Sequence, residues 1–271
     1  MAFPVIFYKS VLKNTGALLT ASSTDTGYTI EDVRNWKAFN TWRSLVLTSP
    51  ITIDIDLGAS GSADADFMAL VNHNGVANGA TYKLYADTTT PPTNVVQAAY
   101  SPTSDDVEIK TFTAPGAKRY WRLEIAKASP PFPAKPFIGE LLIGLKMTLP
   151  EYLSPDLDPF LKQVAAEGLR AQKGHHLGVV LKGQLHRGEL AFGAAGMART
   201  FLTSDLNAFY NNHAFKRLPF GFVLDSDDGD FLRPLWLKIP DDAELPRRPA
   251  GSVYSRIGIR IPVEEAWREA A

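Results

Sequence analysis

The sequence contains no cysteine. That excludes disulfides, thiolate nucleophiles and zinc-thiolate sites. It also lacks any run near the roughly 18 uninterrupted apolar residues that a membrane helix needs, so no membrane insertion is expected. The start, Met1-Ala-Phe-Pro-Val-Ile-Phe-Tyr-Lys9, has no basic segment leading into a long apolar run with a small-residue cleavage site, and does not read as a signal peptide. An excess of charge of one sign is missing too. Lys+Arg 28 against Asp+Glu 29 gives a net charge of -1, so there is no basic footprint for nucleic acid.

The usual catalytic signatures are equally absent. There is no Gly-x-Ser-x-Gly elbow, no phosphate-cradling glycine loop and no His-Glu-x-x-His pair. We therefore expect no enzyme, no catalytic residues and no cofactor.

What is present is a soluble-protein composition, 45% hydrophobic and 21% charged over 271 residues, enough for two ordinary domains or one large one. The first 147 residues read as β-rich. In Ile51-Thr-Ile-Asp-Ile-Asp-Leu57 the apolar residues alternate with polar ones, the period of a half-buried strand. Phe67 to Val71 is an apolar run of strand length, closed by Asn72-His-Asn-Gly75, and Thr81 to Ala86 alternates again. Val107 to Phe112, Arg119 to Ile125 and Ile138 to Ile143 complete a set of short strands separated by turn residues. Such a set predicts an antiparallel sandwich or jelly roll.

Three prolines in 148–159 mark a linker between a first domain, 1–147, and a second, 160–271. In the second part the pattern predicts a short helix over Phe160 to Gln172 and a hairpin of Gly178 to Lys182 with Gly188 to Phe192. An amphipathic helix follows within Ala198 to Phe215. Strands are expected at Phe220 to Leu224, Leu232 to Ile239 and Ser255 to Ile261. Pro262 then opens a last helix, Val263 to Ala270, suited to packing between subunits. The fold class expected is mainly β: an N-terminal antiparallel β-sandwich followed by a smaller α+β domain.

Four groups of residues have side chains suited to chemistry. Asp225-Ser-Asp-Asp-Gly-Asp230 is rich in carboxylates, but a helix-loop-helix calcium loop needs glycine sixth and Glu twelfth, where this chain has Asp230 and Trp236. A solvated hairpin turn is the simpler reading. His175, His176, His186 and His213 fall on three segments without ligand spacing, so no metal site is expected. Asn72, His73 and Asn74 end an apolar strand, where they either bind sugar or hydrogen-bond local backbone. Among the aromatics, Trp121 alternates with Tyr120 and Arg122 and reads as core. Trp36 and Trp42 lie in a loop-like stretch and stand as sugar-stacking candidates.

Taken together, Ala21-Ser-Ser23, Asn35-Trp36, Trp42-Arg-Ser44, Ile53-Asp-Ile-Asp-Leu-Gly58, Phe67 to Asn74, Tyr120-Trp-Arg-Leu-Glu-Ile125 and Ile138-Gly-Glu-Leu-Leu-Ile-Gly144 resemble the discoidin or galactose-binding-like sandwich. With Asn-His-Asn after the apolar strand and the Gly-Glu-Leu-Leu-Ile-Gly close, this version is similar to the domain found in tail proteins of siphophages and prophages. Leu218-Pro-Phe-Gly-Phe222 and Trp236-Leu-Lys-Ile-Pro240 are similar to the C-terminal parts of such proteins.

The resemblance implies a structural role in a bacteriophage tail tip or baseplate, such as a distal tail protein, made in the host cytoplasm and carried in the virion. It implies a homo-oligomeric ring that meets the tail tube, the hub and the tape-measure end, with contact to host surface glycan as an added role. The alternatives are a glycan-binding module without a ring, and a glycan-active enzyme with its carboxylate pair in 150–271.

Overall fold

In this computed structural model the described residues are 3–150, 162–170, 176–191, 197–224, 234–241, 256–257 and 260–266. The chain is mainly β, built from antiparallel sheets. An outer sheet of five strands runs in the order Leu18–Ala21, Ile51–Asp56, Tyr120–Ala126, Thr81–Asp87, Val95–Tyr100. A middle sheet of four strands runs Trp42–Arg43, Phe137–Gly144, Phe67–His73, Val107–Thr111. These two form the sandwich that the alternation in the sequence predicts.

The outer sheet shows why the period is two. Ile51, Ile53 and Ile55 are buried, while Thr52, Asp54 and Asp56 on the other face are half-buried. On that second face Asp54 lies opposite Arg122 across the ladder and pairs with it at 2.5 Å. Arg119 reaches Asp56 through both Nε (2.7 Å) and an Nη (3.0 Å). Burying the opposite face, with Trp121 and Leu123 fully enclosed, supplies the larger stabilisation, about 1.5–3 kcal/mol per large apolar side chain.

The middle sheet is different. Phe67, Met68, Ala69, Leu70 and Val71 are all buried. Met68 and Leu70 enter the sandwich core. Phe67, Ala69 and Val71 face the other way, into a second cluster with Val5, Phe7, Val223 and Trp236. A continuous apolar run is the pattern of a strand covered on both faces.

The cover is a third sheet of seven strands, in the order Met147–Thr148, Val5–Phe7, Phe220–Val223, Leu235–Lys238, Arg260–Glu265, His176–Ala191, Lys162–Arg170. The strand Val5–Phe7 pairs with Phe220–Val223 on one side and with Met147–Thr148 on the other. Both ends of the expected 1–147 unit are thus woven into a sheet made mostly by later residues. The expected linker, 148–159, falls outside the described residues from 151 onward.

Three local expectations for the second half change. Phe160 to Gln172 is not a helix, since Lys162–Arg170 is a strand paired with His176–Ala191. Its Ala, Glu and Gln residues favour helix, but pairing with a long neighbour overrides weak local preference, and Gly168 counts against a helix. The expected hairpin of 178–182 and 188–192 is one strand of 16 residues. The C-terminal segment is a strand over Arg260–Glu265, where a helix from Pro262 is predicted. Pro262 sits in a stretch paired on one side only, so its missing N–H costs no second ladder bond. The strand Val95–Tyr100, which lacks alternation because it is an edge strand half-exposed or exposed throughout, is not visible in the pattern at all.

The expected helix near 198–215 is present. Arg199–Phe201, a π-type turn Leu202–Leu206 and Asn207–Asn212 run on continuously, and a 3-10 turn, Ala214–Lys216, follows. Leu206 and Phe209 pack into a third cluster with Ile6, Tyr8 and Phe220.

Candidate functional site

The Gly-Glu-Leu-Leu-Ile-Gly segment of the middle sheet is crossed closely by backbone of the first half. A Cβ on Gly139 would lie 2.2 Å from the Ala38 carbonyl oxygen, and one on Gly144 would lie 2.2 Å from that of Lys9. Only glycine permits these approaches. They draw two loops across the strand, one carrying Lys9 to Lys13 and one carrying Trp36 to Ala38.

Between the glycines, Glu140 is fully buried. Its Oε2 accepts from the backbone N–H of Trp36 at 2.7 Å and its Oε1 takes the Lys13 ammonium at 2.5 Å. Lys13 also donates to the Arg34 carbonyl and lies 3.9 Å over the Trp36 ring. Arg34 fixes the same loop by donating to the carbonyls of Leu12 (2.9 Å) and Ala17 (3.0 Å). Burial dominates both partners of the pair: it pushes the Glu140 carboxyl up to about 7 and the Lys13 ammonium down to about 8. Both carboxylate oxygens of Glu140 are committed inside the chain, so this acid is a tie between loops.

From the second half, His213 packs edge-on to Trp36 with ring centroids 4.7 Å apart, and Trp236 stacks on Trp36 at 6.4 Å. The His213 Nε2 lies 2.6 Å from the Pro219 carbonyl oxygen and donates to it, which sets the tautomer. Burial lowers this histidine to about 4, so it is neutral at pH 7. Beside these residues lies an open cleft of about 520 Å³ between the sandwich and the helix ending at Asn212. Residues of both halves line it, among them Lys9, Ser10, Asn14, Trp36, Asn212 and Lys216.

Of the five sugar candidates, Trp36 alone lines this cleft. Trp42 is fully buried, with its indole N–H donated to Thr24 Oγ1 at 3.1 Å, so no face of its ring is open for stacking. Asn72, in a left-handed backbone conformation (φ 52°), donates to the Ala38 carbonyl at 2.6 Å. Asn74 donates to the Lys135 carbonyl and accepts from the Phe137 N–H, both at 3.0 Å. His73 is buried; its Nδ1 accepts from the Gly75 N–H at 3.1 Å and lies 3.3 Å from the Tyr82 hydroxyl. These groups hydrogen-bond nearby backbone.

Among the described residues no three metal-ligating side chains gather. Asp225–Asp230, His175 and the Trp267 to Ala271 end lie outside the described residues. The side chains of His176 and His186 do so too. Sequence reasoning missed Glu140, Lys13 and the cleft. The signal was in the two glycines of Gly139-Glu-Leu-Leu-Ile-Gly144, which ask for close backbone neighbours.

No family model matches the sequence, and no curated protein matches it. Solved structures with a related shape exist. A chitosan-binding module derived from the chitosanase/glucanase of Paenibacillus sp. IK-5 is 19% identical, with a TM-score of 0.40 over 50% of this chain and 98% of that one. CpGH89CBM32-5 from Clostridium perfringens, solved with GalNAc-β-1,3-galactose, is 17% identical, with a TM-score of 0.40 over 48% and 95%. The CBM32 of AlyQ, in complex with 4,5-unsaturated mannuronic acid, is 21% identical, with a TM-score of 0.38 over 51% and 96%.

Proposed function

We propose that this protein is a non-enzymatic structural component of a bacteriophage tail tip, in which copies of the chain assemble through the second half into an oligomer. The observation that carries this reading is the ribbon at the end of the third sheet. Lys162–Arg170 pairs with His176–His186, and among the described residues this stretch pairs with no other strand. Only Arg187 to Ala191 of the longer strand joins the body of the sheet. A two-stranded ribbon standing by itself is marginally stable in water. A neighbouring copy supplies the surface it needs, and repetition of one such contact closes a ring.

The three-layer build supports the same reading. With Phe67, Ala69 and Val71 sealed against Phe7, Val223 and Trp236, the sandwich is fixed to the third sheet, as a scaffold wall requires. The resemblance of its motifs to siphophage tail proteins supplies the setting. A second reading, contact with surface glycan, is favoured by the open cleft beside Trp36, where Lys9, Ser10, Asn14 and Asn212 stand among apolar residues.

Light scattering on the purified chain, with negative-stain images of the same sample, tests the proposal. A defined oligomer or closed rings are the expected result. A monomer that also fails to form rings with purified tail-tube protein would overturn it.

A further inference from the structure

We propose that the cleft between the two halves binds a carboxylated pyranose, with Lys9 and Lys216 taking the carboxylate and the amides of Asn14 and Asn212 taking ring hydroxyls. The inference rests on the second reading above only in that the ligand is a sugar. It places the site at the junction of the halves and not among the residues around Asn72 to Asn74.

Two polar groups beside the cleft are already committed. Glu140 neutralises Lys13, and His213 spends its Nε2 proton on the Pro219 carbonyl. Lys9 and Lys216, by contrast, enter no ion pair among the described residues, and both line the cleft. Lys216 is near enough to His213 for its positive charge to bear on the imidazole. Asp64 is the sole carboxylate lining the cleft, so two ammonium groups outside any ion pair among the described residues, Lys9 lying 5.7 Å over the Tyr8 ring, stand against one acid.

The neutral groups are uncommitted too. The side-chain amides of Asn14 and Asn212 make no hydrogen bond to described residues, and both residues are exposed. The Ser10 hydroxyl is buried at the cleft without a hydrogen-bond partner among the described residues. A buried hydroxyl left unpaired is costly, and a ligand hydroxyl repays that cost.

The chemistry of this set points to a sugar acid. An amide both donates and accepts, which suits hydroxyls, whose roles are equally two-way. Phosphate recognition more often uses guanidinium forks, and no arginine is among the described residues lining this cleft. The half-exposed Leu145 and the edge of Trp36 offer an apolar wall for the C–H face of a ring. About 520 Å³ is the size of a pocket for one or two sugar units.

Titration calorimetry on the full chain tests this with methyl β-glucuronide, methyl N-acetylneuraminide and the uncharged methyl β-glucoside. At least one acid is expected to bind about ten-fold more tightly than the glucoside, and the K9Q/K216Q variant to lose about ten-fold for that acid, with an unchanged melting temperature. Both lysines are exposed, so the variant should fold. Equal or tighter binding of the glucoside overturns the acidic preference and leaves the glycan reading standing. Binding of an acid that survives in the variant overturns the site. Binding of none of the three overturns the inference, and a glycan array with no hits then removes the glycan reading as well.

Discussion

Glu140 accepts the backbone N–H of Trp36 at 2.7 Å, and by doing so holds a tryptophan at φ 64°, a conformation that large side chains seldom adopt. The same carboxylate anchors Lys13, whose ammonium covers the Trp36 ring. One buried acid thus fixes the loop that presents Trp36 to the second half.

Removing that acid should therefore be expensive. Glu140→Ala leaves the Lys13 charge buried without its partner and the Trp36 N–H without an acceptor, at a cost of about 3–5 kcal/mol. The K13M/E140Q double variant keeps an acceptor and removes both charges, so it should recover most of that loss. Urea unfolding of the three proteins measures both. A Glu140→Ala protein within about 0.5 kcal/mol of wild type would show that the tie is unimportant.

The glycines beside Glu140 give a second expectation. Gly139→Ala and Gly144→Ala each push a methyl group to 2.2 Å from a backbone carbonyl oxygen, so one backbone must move. Each should lose about 1–3 kcal/mol or more, read as a lowered melting temperature. Gly144→Ala should also disturb the cleft, because the displaced carbonyl belongs to Lys9.

Acid should unfold the protein through its buried histidines. Burial lowers His73 and His213 from 6.5 to about 4, so the folded state binds fewer protons than the unfolded chain between those values. The stability they contribute is complete above pH 6.5 and is lost as pH falls toward 4, by about 3 kcal/mol for each group. Glu140, raised to about 7, acts in the opposite sense: its contribution is complete below about 4.5 and lost as pH rises to 7. Two histidines outweigh one acid. Denaturant midpoints should fall from pH 6.5 to 4, and His213→Gln, which can still donate to Pro219, should flatten that slope.

Replacing 162–186 by a short Gly-Ser link should abolish the oligomer while the sandwich keeps its β-rich circular dichroism. The link removes a ribbon that, among the described residues, pairs only with itself, and it spares Arg187 to Ala191, the stretch that joins the sheet. Light scattering reads the mass. An unchanged mass would move the assembly contact elsewhere on the chain.

Much of the sandwich was legible because its signals are local. The alternation of Ile51 to Leu57 and of Tyr120 to Ile125 follows directly from the two-residue period of a strand with one wet face. Several residues that carry the resemblance hold the fold together: Trp42 lies in the core, Asn72 and Asn74 brace backbone, and Gly139 and Gly144 make room for neighbouring chain. Lys162–Arg170 misled because its residues favour helix weakly, by tenths of a kcal/mol each, while its pairing with a neighbouring strand decides the outcome.

The amino-acid sequence by itself determined the class of the fold, the strands with clear alternation and the helix within 198–215. It also determined what chemistry is excluded, since no thiol exists to supply it. The tertiary structure alone decided that Val5–Phe7 leaves the first half to join the third sheet and that Phe67 to Val71 is covered on both faces. It also decided that Lys13, Glu140, Trp36 and His213 meet beside one cleft. The reason is one of range. Period and propensity act over a few residues, whereas Lys13 and Glu140 are 127 positions apart, and only the packing of the Val11–Lys13 turn against the Phe137–Gly144 strand brings them within 2.5 Å.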